Sequence, residues 1–477
     1  MSEPVPTIVD RIREMARSQP SHPALVQSLP DGRAKSVTYA ELMERVNQAT
    51  KALSGSLNDY DRCGVQGRNS VKFIVQALAV LNSRWCLVPI AEDYDAEALE
   101  SFVSRCKLHG LINCGADATF QSFENPGAVD DQQDAAFRAL EPSFIRFTSG
   151  TTNQRKGVVI GRQSVLDRVE AGNRGLQIGP EDRILWLLPM AHHFVVSILL
   201  YLRHGATILL PAGEAAEEVI RFADRQQATV IYASPDHYQH LLETGQGELP
   251  ASLRLSLSTS MGLSEALVND FARRFNVHLT QALGIIEVGL PVVNLNQAVS
   301  KPLALGQVQP DFTVTLQTHE GDEISRLGSD SGVGEVCIQG PGLFDAYLSP
   351  WIPATEVVSE EGFRTGDLGY FDEDHDLYLL GRRQNRINIG GRKFFCEEVE
   401  AVLNGYTDIR ESRVRSEKVN GVVAIVADVV TSNGESLDTE ALQQFCQSKL
   451  TRYKIPVRFS KVEQLDKTAT GKIRRWS

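Results

Sequence analysis

The chain has 477 residues, too many for one ordinary hydrophobic core, so two or more domains are expected. Apolar residues make up 42% and charged residues 23%, a composition typical of a soluble globular protein. The net charge of −12 argues against a nucleic-acid partner, and no apolar run reaches the roughly 18 residues that membrane insertion needs.

Three further features of the sequence narrow the class of protein: its N-terminus, its cysteines and its charge distribution. The sequence MSEPVPTIVDRIREMA lacks the pattern of a signal peptide, so a cytoplasmic location is expected. The seven cysteines form no C-x-x-C pair, which predicts reduced, mostly buried thiols. Residues 384–477 carry 16 basic and 12 acidic side chains, whereas the rest of the chain carries a net −16. This basic part could bind a phosphate-bearing or acidic partner, or be only a solvated surface.

In chain order, strand-like apolar runs alternate with amphipathic helical stretches. VKFIVQALAVLN precedes CLVPI, VSILLYLRH precedes ATILLP, and AEEVIRFADRQQ precedes ATVIYAS. Such alternation predicts an α/β architecture with largely parallel sheets. Short strands with Gly-rich turns at 314–348 predict a β-rich subdomain, and residues 414–450 predict a small α+β unit.

A polar loop follows the strand-like run SFIRF. Residues 147–157 read Phe-Thr-Ser-Gly-Thr-Thr-Asn-Gln-Arg-Lys-Gly. Glycine lets the backbone approach a ligand, hydroxyl and N–H groups donate to phosphate oxygens, and lysine supplies positive charge. The loop is not a Walker loop, because no GK[ST] follows the first glycine at the required spacing. It predicts a polyphosphate site, with an ordinary polar turn as the alternative.

The same loop resembles the phosphate loop of the adenylate-forming superfamily, which includes acyl-CoA synthetases, aryl-acid-activating enzymes, peptide-synthetase adenylation domains and luciferases. Asn153 and Arg155 stand where that superfamily usually has Gly and Pro. Two earlier segments, VTYAEL and LAVLNSRWCLVPI, resemble its first two motifs. The resemblance implies six residues that bind ATP: Thr148, Ser149, Gly150, Thr151, Thr152 and Lys156.

Residues 281–287, Gln-Ala-Leu-Gly-Ile-Ile-Glu, resemble the segment that lies under the nucleotide in this superfamily. The resemblance implies that Gly284 lies against the nucleotide and that Glu287 binds Mg²⁺ and takes part in catalysis. A metal suits this position, because a carboxylate beside a polyphosphate is otherwise repelled. Leu283 replaces the usual aromatic residue, and Ile286 replaces a Thr that normally touches the α-phosphate.

Two later motifs complete the nucleotide site. Residues 365–369, Thr-Gly-Asp-Leu-Gly, resemble the ribose-binding motif, so Asp367 would accept hydrogen bonds from both ribose hydroxyls. Residues 381–393 resemble the interdomain hinge, where Arg382 would contact ribose and phosphate and Gln384 occupies the hinge position. Without the resemblance, Asp367 could be only a turn former.

The last motif places a second catalytic residue near the C-terminus. Residues 467–473 resemble the segment whose lysine, here Lys472, bridges the substrate carboxylate and the α-phosphate. Together the motifs imply an N-terminal adenylation domain at 1–382, a hinge at 383–386 and a mobile C-terminal domain at 387–477. In such enzymes the small domain rotates between two half-reactions.

Residues 188–197, Leu-Pro-Met-Ala-His-His-Phe-Val-Val-Ser, resemble the acid-pocket motif and imply that His192, His193 and Ser197 contact the acid. No carboxylate occurs from 187 to 203, so a substrate ammonium would stay unpaired and α-amino acids are disfavoured. The resemblance is greatest to aryl-acid-activating enzymes, whose asparagine at the position of His193 contacts a ring hydroxyl. A packed histidine pair beneath the pocket is the structural alternative.

The sequence therefore predicts that ATP activates an aromatic carboxylic acid as its acyl-adenylate. The acyl group would then pass to a thiol of coenzyme A or of the phosphopantetheine on an acyl or aryl carrier protein. Two alternatives stay open: a medium- or long-chain fatty-acid ligase, and a catalytically silent nucleotide-binding relative.

Overall fold

A computed structural model describes nine ranges of the chain: 6–115, 117–123, 131–147, 156–318, 332–389, 392–419, 422–432, 437–467 and 473–474. Within them the α-helices are α1 (Ile8–Ser18), α2 (Tyr39–Leu53), α3 (Val71–Asn82), α4 (Ala96–Cys106), α5 (Asp131–Ala139), α6 (Arg162–Leu176), α7 (Leu200–Arg203), α8 (Ala216–Arg225), α9 (Pro235–Thr244), α10 (Glu265–Phe275), α11 (Cys396–Leu403) and α12 (Thr439–Lys449).

The strands up to residue 308 are β1 (Pro23–Ser28), β2 (Ala34–Thr38), β3 (Arg62–Gln66), β4 (Cys86–Ile90), β5 (Gly110–Asn113), β6 (Thr119–Ser122), β7 (Pro142–Phe147), β8 (Gly157–Gly161), β9 (Arg183–Trp186), β10 (Thr207–Leu210), β11 (Val230–Ala233), β12 (Leu255–Ser258), β13 (Leu279–Ile285), β14 (Gly289–Val293) and β15 (Gln307–Val308). The later strands are β16 (Thr313–Gln317), β17 (Gly334–Gln339), β18 (Ala346–Tyr347), β19 (Ile352–Pro353), β20 (Phe363–Phe371), β21 (Leu377–Arg382), β22 (Arg386–Ile389), β23 (Arg392–Phe395), β24 (Ile409–Val419), β25 (Val422–Thr431) and β26 (Arg458–Lys461).

Local side-chain chemistry sets where the first helices begin. Thr7 and Asp10 form a capping box at the start of α1, and Thr38 and Glu41 form another at α2. Each pair satisfies backbone N–H groups that the first turn of a helix leaves without partners.

Two large sheets form the main body. The nine-stranded sheet has the order β15-β14-β13-β12-β11-β9-β10-β1-β2, and its strands from β1 to β13 in that row run parallel. The eight-stranded sheet has the order β19-β18-β8-β7-β4-β3-β5-β6. Every residue of β10 and β11 is buried, as expected for parallel strands that are covered on both faces.

The main hydrophobic core contains side chains from both large sheets and from the helices α1, α2, α3 and α6. A second core lies where α8, α9 and α10 pack on the nine-stranded sheet, and a third where α4 and α5 pack on the eight-stranded sheet. Helices on both faces of a mostly parallel sheet are the layered arrangement that the alternating sequence pattern predicts.

The C-terminal third has a different architecture. The strands β16, β17, β20 and β21 form a four-stranded antiparallel sheet, which confirms the predicted β-rich subdomain. The strands β24, β25 and β26 and the helices α11 and α12 enclose a separate small core. The predicted α/β fold class, with an α+β C-terminal unit, is therefore confirmed, whereas the boundaries at 382 and 387 and the rotation stay predictions.

Six of the seven cysteines are buried and all are free thiols, as the sequence predicts. In the part of the chain that the structure describes, no helix is long and apolar enough to cross a membrane.

Lys301 links the segment after β14 to the turn between β20 and β21. Its Nζ donates to Asp372 at 2.7 Å, to Asp376 at 3.0 Å and also to Asp374. The three carboxylates lie close enough together to ligate a metal ion, but Lys301 already supplies a positive charge to them. Burial alone would raise the pKa of Asp372, but the hydrogen bond and charge of Lys301 outweigh it and hold the pKa below its usual value.

Lys301→Met should leave three neighbouring carboxylates without their cation and lower the melting temperature at neutral pH. Because a lowered pKa gives stability that is present above the unfolded value and is lost through the folded one, the deficit should stay constant from pH 7 to about 5 and narrow as the pH falls below the ordinary value of 3.8. Thermal unfolding of the wild type, of Lys301→Met and of the charge-keeping control Lys301→Arg measures it. A deficit that is independent of pH would contradict the assignment.

Candidate active site

Several predicted site residues lie outside the described residues, namely Thr148, Ser149, Gly150, Thr151, Thr152 and Lys472. Most of the other predicted residues form three groups: one around Glu287, one around Asp367 and one around His193.

Glu287 lies in the tight turn between β13 and β14, and buried contacts hold this turn in place. Val288 N donates to Ile285 O at 3.0 Å, and Phe344 N donates to Glu287 O at 2.8 Å. The fully buried Arg168 on α6 donates from Nη1 to Ile286 O and from Nε to Gly342 O, each at 2.9 Å. Burial lowers the pKa of Arg168 to about 10, so it stays charged at neutral pH.

Tyr347 joins Glu287 to Lys156. Its hydroxyl donates to Glu287 Oε1 at 3.1 Å, and the Lys156 ammonium lies 4.5 Å from the centre of its ring. Burial and the Glu287 carboxylate both raise the pKa of Tyr347, so its proton stays available for donation. A cation over the face of a tyrosine ring is attracted to it. The structure therefore brings Lys156 and Glu287 together through an aromatic residue that the motif comparison did not single out.

This group has the donor set that Mg²⁺ uses beside a nucleotide. Mg²⁺ is usually bound by one or two carboxylates, water and substrate phosphates, not by a complete protein cage. Glu287 supplies one carboxylate, whose Oε1 accepts the hydrogen bond from the Tyr347 hydroxyl. Lys156, in the motif at 147–157, supplies positive charge suited to phosphate. The residues present fit a magnesium–nucleotide complex.

Asp367 and Arg382 form the second group, on adjacent strands. They are register partners in β20 and β21, and Arg382 Nε lies 2.7 Å from Asp367 Oδ1. Arg382 Nη1 also donates to Thr365 O at 3.0 Å, while about half of its side chain is exposed. Gly366 has a φ of +74°, a left-handed conformation that favours glycine and shapes the bend beside the carboxylate. An exposed cation beside a carboxylate can face a ribose and its phosphate together.

Gly284 and Gln384, the two remaining predicted residues, are both exposed. Gly284 is exposed in β13, where an added Cβ would lie 3.5 Å from Thr259 Oγ1. Gln384 is exposed in a 3₁₀ turn, Arg383–Asn385, between the strands β21 and β22. A short turn between two strands is compatible with a hinge, and the hinge role of Gln384 stays a prediction.

The third group is aromatic and lies on the inner face of the nine-stranded sheet. Trp186 on β9 and Tyr232 on β11 are register partners, and their rings stack at 5.2 Å. The His193 ring contacts both edge to face, with centroids 6.4 Å from Trp186 and 6.3 Å from Tyr232. His193 is partly exposed, whereas Trp186 and Tyr232 are only 0% and 2% exposed.

The segment after His193 departs from the predicted regular helix. Phe194–Leu199 forms a π-helical turn before α7, and Val196 inside it has φ −83° and ψ 21°. Single π turns inside helices are rare and often occur at functional sites. Ser197 is fully buried there, with no hydrogen-bond partner for its hydroxyl among the described residues. His192 is partly buried at the turn that precedes this segment.

Sequence reasoning missed Arg146, the penultimate residue of β7. Its Nε is shielded from solvent and has no hydrogen-bond partner within the described ranges. Burial lowers the pKa of Arg146 to about 10, while the nearby Glu287 and Tyr232 act against the shift. The only signal in the sequence was a charged residue in the otherwise apolar run SFIRF. Tyr347 and Arg168 gave no signal, since their roles depend on contacts between distant segments.

Family comparisons cover most of the chain. A family model described as AMP-binding enzyme matches residues 12–348, and one described as AMP-binding enzyme C-terminal domain matches residues 398–472. Each model spans one of the two parts that the sequence motifs distinguish.

Individual relatives are distant but match over almost their whole length. Oxalate–CoA ligase from Arabidopsis thaliana is 26% identical over 94% of this chain and 96% of its own. Indoleacetate–CoA ligase from Aromatoleum aromaticum is 27% identical over 92% of each chain. The structure of o-succinylbenzoate coenzyme A synthetase from Bacillus subtilis with AMP has a TM-score of 0.82 and 20% identity, and covers 98% of this chain and 97% of that one. At that identity the structural likeness shows the fold alone.

Tyr347→Phe should weaken Mg²⁺ binding roughly 10-fold, because groups that orient a metal ligand commonly contribute that much affinity. Calorimetric titration of Mg²⁺ into the enzyme with ATP measures the effect. Tyr378→Phe, which alters a ring stacked on Tyr370 in the four-stranded sheet, is the matched control. Equal Mg²⁺ affinity in Tyr347→Phe and the wild type would show that Tyr347 does not position Glu287.

Proposed function

We propose, for a chain that belongs to the AMP-binding enzyme family, the ATP-dependent activation of an aromatic carboxylic acid as its acyl-adenylate. Family membership makes the chain an AMP-forming acid–thiol ligase, so ATP dependence is a premise and the aromatic acid is the proposal. Two groups of side chains carry the proposal. Lys156, Tyr347 and Glu287 form the polar group. Trp186, Tyr232 and His193 form the aromatic group.

The first group suits the polyphosphate. Lys156 and the hydroxyl and N–H donors of the predicted loop at Thr148, Ser149, Gly150, Thr151 and Thr152 would bind phosphate oxygens. When bound at Glu287, Mg²⁺ would supply positive charge that reduces the repulsion between reacting anions. Asp367 and Arg382 would bind the ribose, and Gly284 would allow the nucleotide to approach the backbone.

The chemical step needs a cation that acts on both reactants. An oxygen of the acid attacks the α-phosphorus, a P–O bond forms, and the bond to pyrophosphate breaks. Lys472 would pair with the carboxylate and the α-phosphate, and so stabilise the charge that develops between them. One preorganised cation of this kind contributes roughly 3–4 kcal/mol, or about 10²–10³ in rate.

The second half-reaction transfers the acyl group. A thiol attacks the acyl carbon of the mixed anhydride, and AMP leaves with the electrons of the broken C–O bond. We propose that the thiol belongs to coenzyme A or to the phosphopantetheine of a carrier protein. The excess of basic residues in 384–477 favours a phosphate-bearing or acidic acceptor. The cytoplasm is the proposed location.

The aromatic side chains around His193 support an aromatic substrate. Stacked Trp186 and Tyr232 give a flat wall, and a ring that packs on it gains both burial and aromatic contact. His193 adds a polar group beside the wall, where a ring hydroxyl could bond to it. The relative that acts on oxalate shows that an acid without a ring is also accommodated within the family. The aromatic proposal therefore rests on the wall and on His193.

ATP–pyrophosphate exchange over a panel of acids tests the proposal, since it needs no acceptor. We expect exchange with benzoates and hydroxybenzoates. Exchange that rises steadily from C4 to C12 fatty acids, at about 0.8 kcal/mol per buried CH₂, would instead support a fatty-acid ligase. Absence of exchange with every acid would support a catalytically silent relative.

Lys472→Ala should lower adenylate formation about 10²-fold or more, because the cation acts only on the charge of that transition state. Thioester formation from supplied acyl-adenylate should change much less. Single-turnover assays of both half-reactions measure this, with Lys449→Ala, at the exposed end of α12, as the control. Equal loss in both half-reactions would refute the role of Lys472.

His193→Ala should lower kcat/KM for a hydroxybenzoate more than for benzoate, since a hydrogen bond to neutral imidazole contributes roughly 1 kcal/mol net. Exchange kinetics with both acids measure the difference. His240→Ala, in α9 and away from the aromatic wall, is the control. If both acids lose activity equally, the packed-histidine alternative is correct.

A further inference from the structure

Arg146 reaches the interior between the two large sheets. Side chains alternate along β7: Phe144 belongs to the main core, and Ile145 and Phe147 pack in the core around α4 and α5. The alternation directs Arg146 to the same side as Phe144, where the main core also contains Trp186 and Tyr232.

The Nε of Arg146 is shielded from solvent and makes no hydrogen bond among the residues that the structure describes. The nearby Glu287 acts on Arg146 through its charge but makes no hydrogen bond to it. Glu287 accepts from Tyr347 instead, and Tyr232 bonds to the side chain of Thr259. By contrast, the fully buried Arg168 donates to two backbone carbonyls, whereas the partly exposed Arg146 leaves its shielded Nε without an acceptor. Proteins seldom leave a shielded N–H group without an acceptor, because no hydrogen bond then offsets its desolvation.

The reactants of the proposed function already have other partners for most of their charges. The phosphates would meet Lys156 and Arg382, and the reacting carboxylate would meet Lys472. Only a second anionic group on the acid would then have no residue assigned to it. Such a group is the anion that Arg146 would bind. A planar guanidinium forms two parallel hydrogen bonds with such a group, as carboxylates and sulfonates present paired oxygens.

We propose that Arg146 binds a second anionic group of the acid, so that the preferred substrates are dicarboxylic acids or carboxylic acids bearing a sulfonate. This inference rests on the proposed activation of an acid at the same site. Arg146 then determines specificity: a substrate anion pairs its charge, whereas an acid without one leaves the shielded Nε without an acceptor.

Exchange kinetics on matched acids test the proposal. Each pair differs only in the second carboxylate: benzoate against the three benzenedicarboxylates, and hexanoate against adipate. In the wild type, kcat/KM should favour the better diacid of a pair. Arg146→Met should lower that diacid-to-monoacid ratio about 10²-fold, mainly through KM for the acid, as expected when a buried charge pair loses one partner. Arg146→Lys, which keeps the charge but loses the paired geometry, should lower the ratio less.

Two controls separate recognition from a structural role. Arg183→Met removes a partly buried arginine from β9, where it donates to the Gln226 side chain, and should leave the ratio unchanged. Without ligand, Arg146→Met should melt no lower than the wild type, because it removes an unpaired charge. A clear fall in its melting temperature would mean that Arg146 is structural.

The outcomes also separate this inference from the proposed function. Equal losses on both acids of a pair, or a raised KM for ATP, would overturn the inference and assign Arg146 to the nucleotide. Adipate activity that depends on Arg146, without activity on any aromatic acid, would support the inference and overturn the aromatic proposal. If no acid gives exchange, thermal stabilisation by diacids decides: it should occur in the wild type and be lost in Arg146→Met, and its absence in the wild type would overturn the inference.

Discussion

One buried arginine fixes the geometry on which the rest of the site depends. Arg168 donates to carbonyls of two separate loops, at Ile286 and at Gly342, and so joins the turn that carries Glu287 to the segment that leads to Tyr347. Gly342 has a φ of +70°, and a Cβ there would lie 2.5 Å from Arg168 N. The backbone therefore approaches α6 as closely as it can. This contact adds to the backbone hydrogen bonds of the Glu287 turn and to the strand pairing that holds Tyr347 opposite Val158.

The two large sheets contribute different chemistry to the interior between them. The eight-stranded sheet supplies the polar groups Lys156, Tyr347 and Arg146 near the ends of β8, β18 and β7. The nine-stranded sheet supplies the aromatic wall of Trp186 and Tyr232. A reaction between a polyphosphate and an organic acid needs polar groups and an apolar surface. Fixed cations stabilise the phosphate and carboxylate charges, and the apolar surface removes the apolar part of the acid from water.

Much of this architecture was predictable from local sequence. The segments VKFIVQALAVLN and CLVPI form α3 and β4, as their patterns predict, because the spacing of apolar residues indicates which faces of a helix or strand are buried. Motifs indicated Lys156, Glu287, Asp367 and Arg382, and the structure pairs the last two directly. The π-helical turn after His193 was not predictable, since it preserves the apolar pattern of a helix and differs only in hydrogen bonding. Arg146 and Tyr347 were missed because their environment comes from residues more than 50 positions away.

The central claim is that nucleotide and acid meet between Glu287 and the aromatic wall. A crystal structure with ATP, Mg²⁺ and an unreactive analogue of a bound acid tests it most directly. The account predicts that the metal lies on the Glu287 carboxylate, that the ribose lies on Asp367, and that the acid packs against Trp186 and Tyr232 beside His193. A nucleotide bound away from Glu287, or an acid bound elsewhere than on this wall, would contradict it.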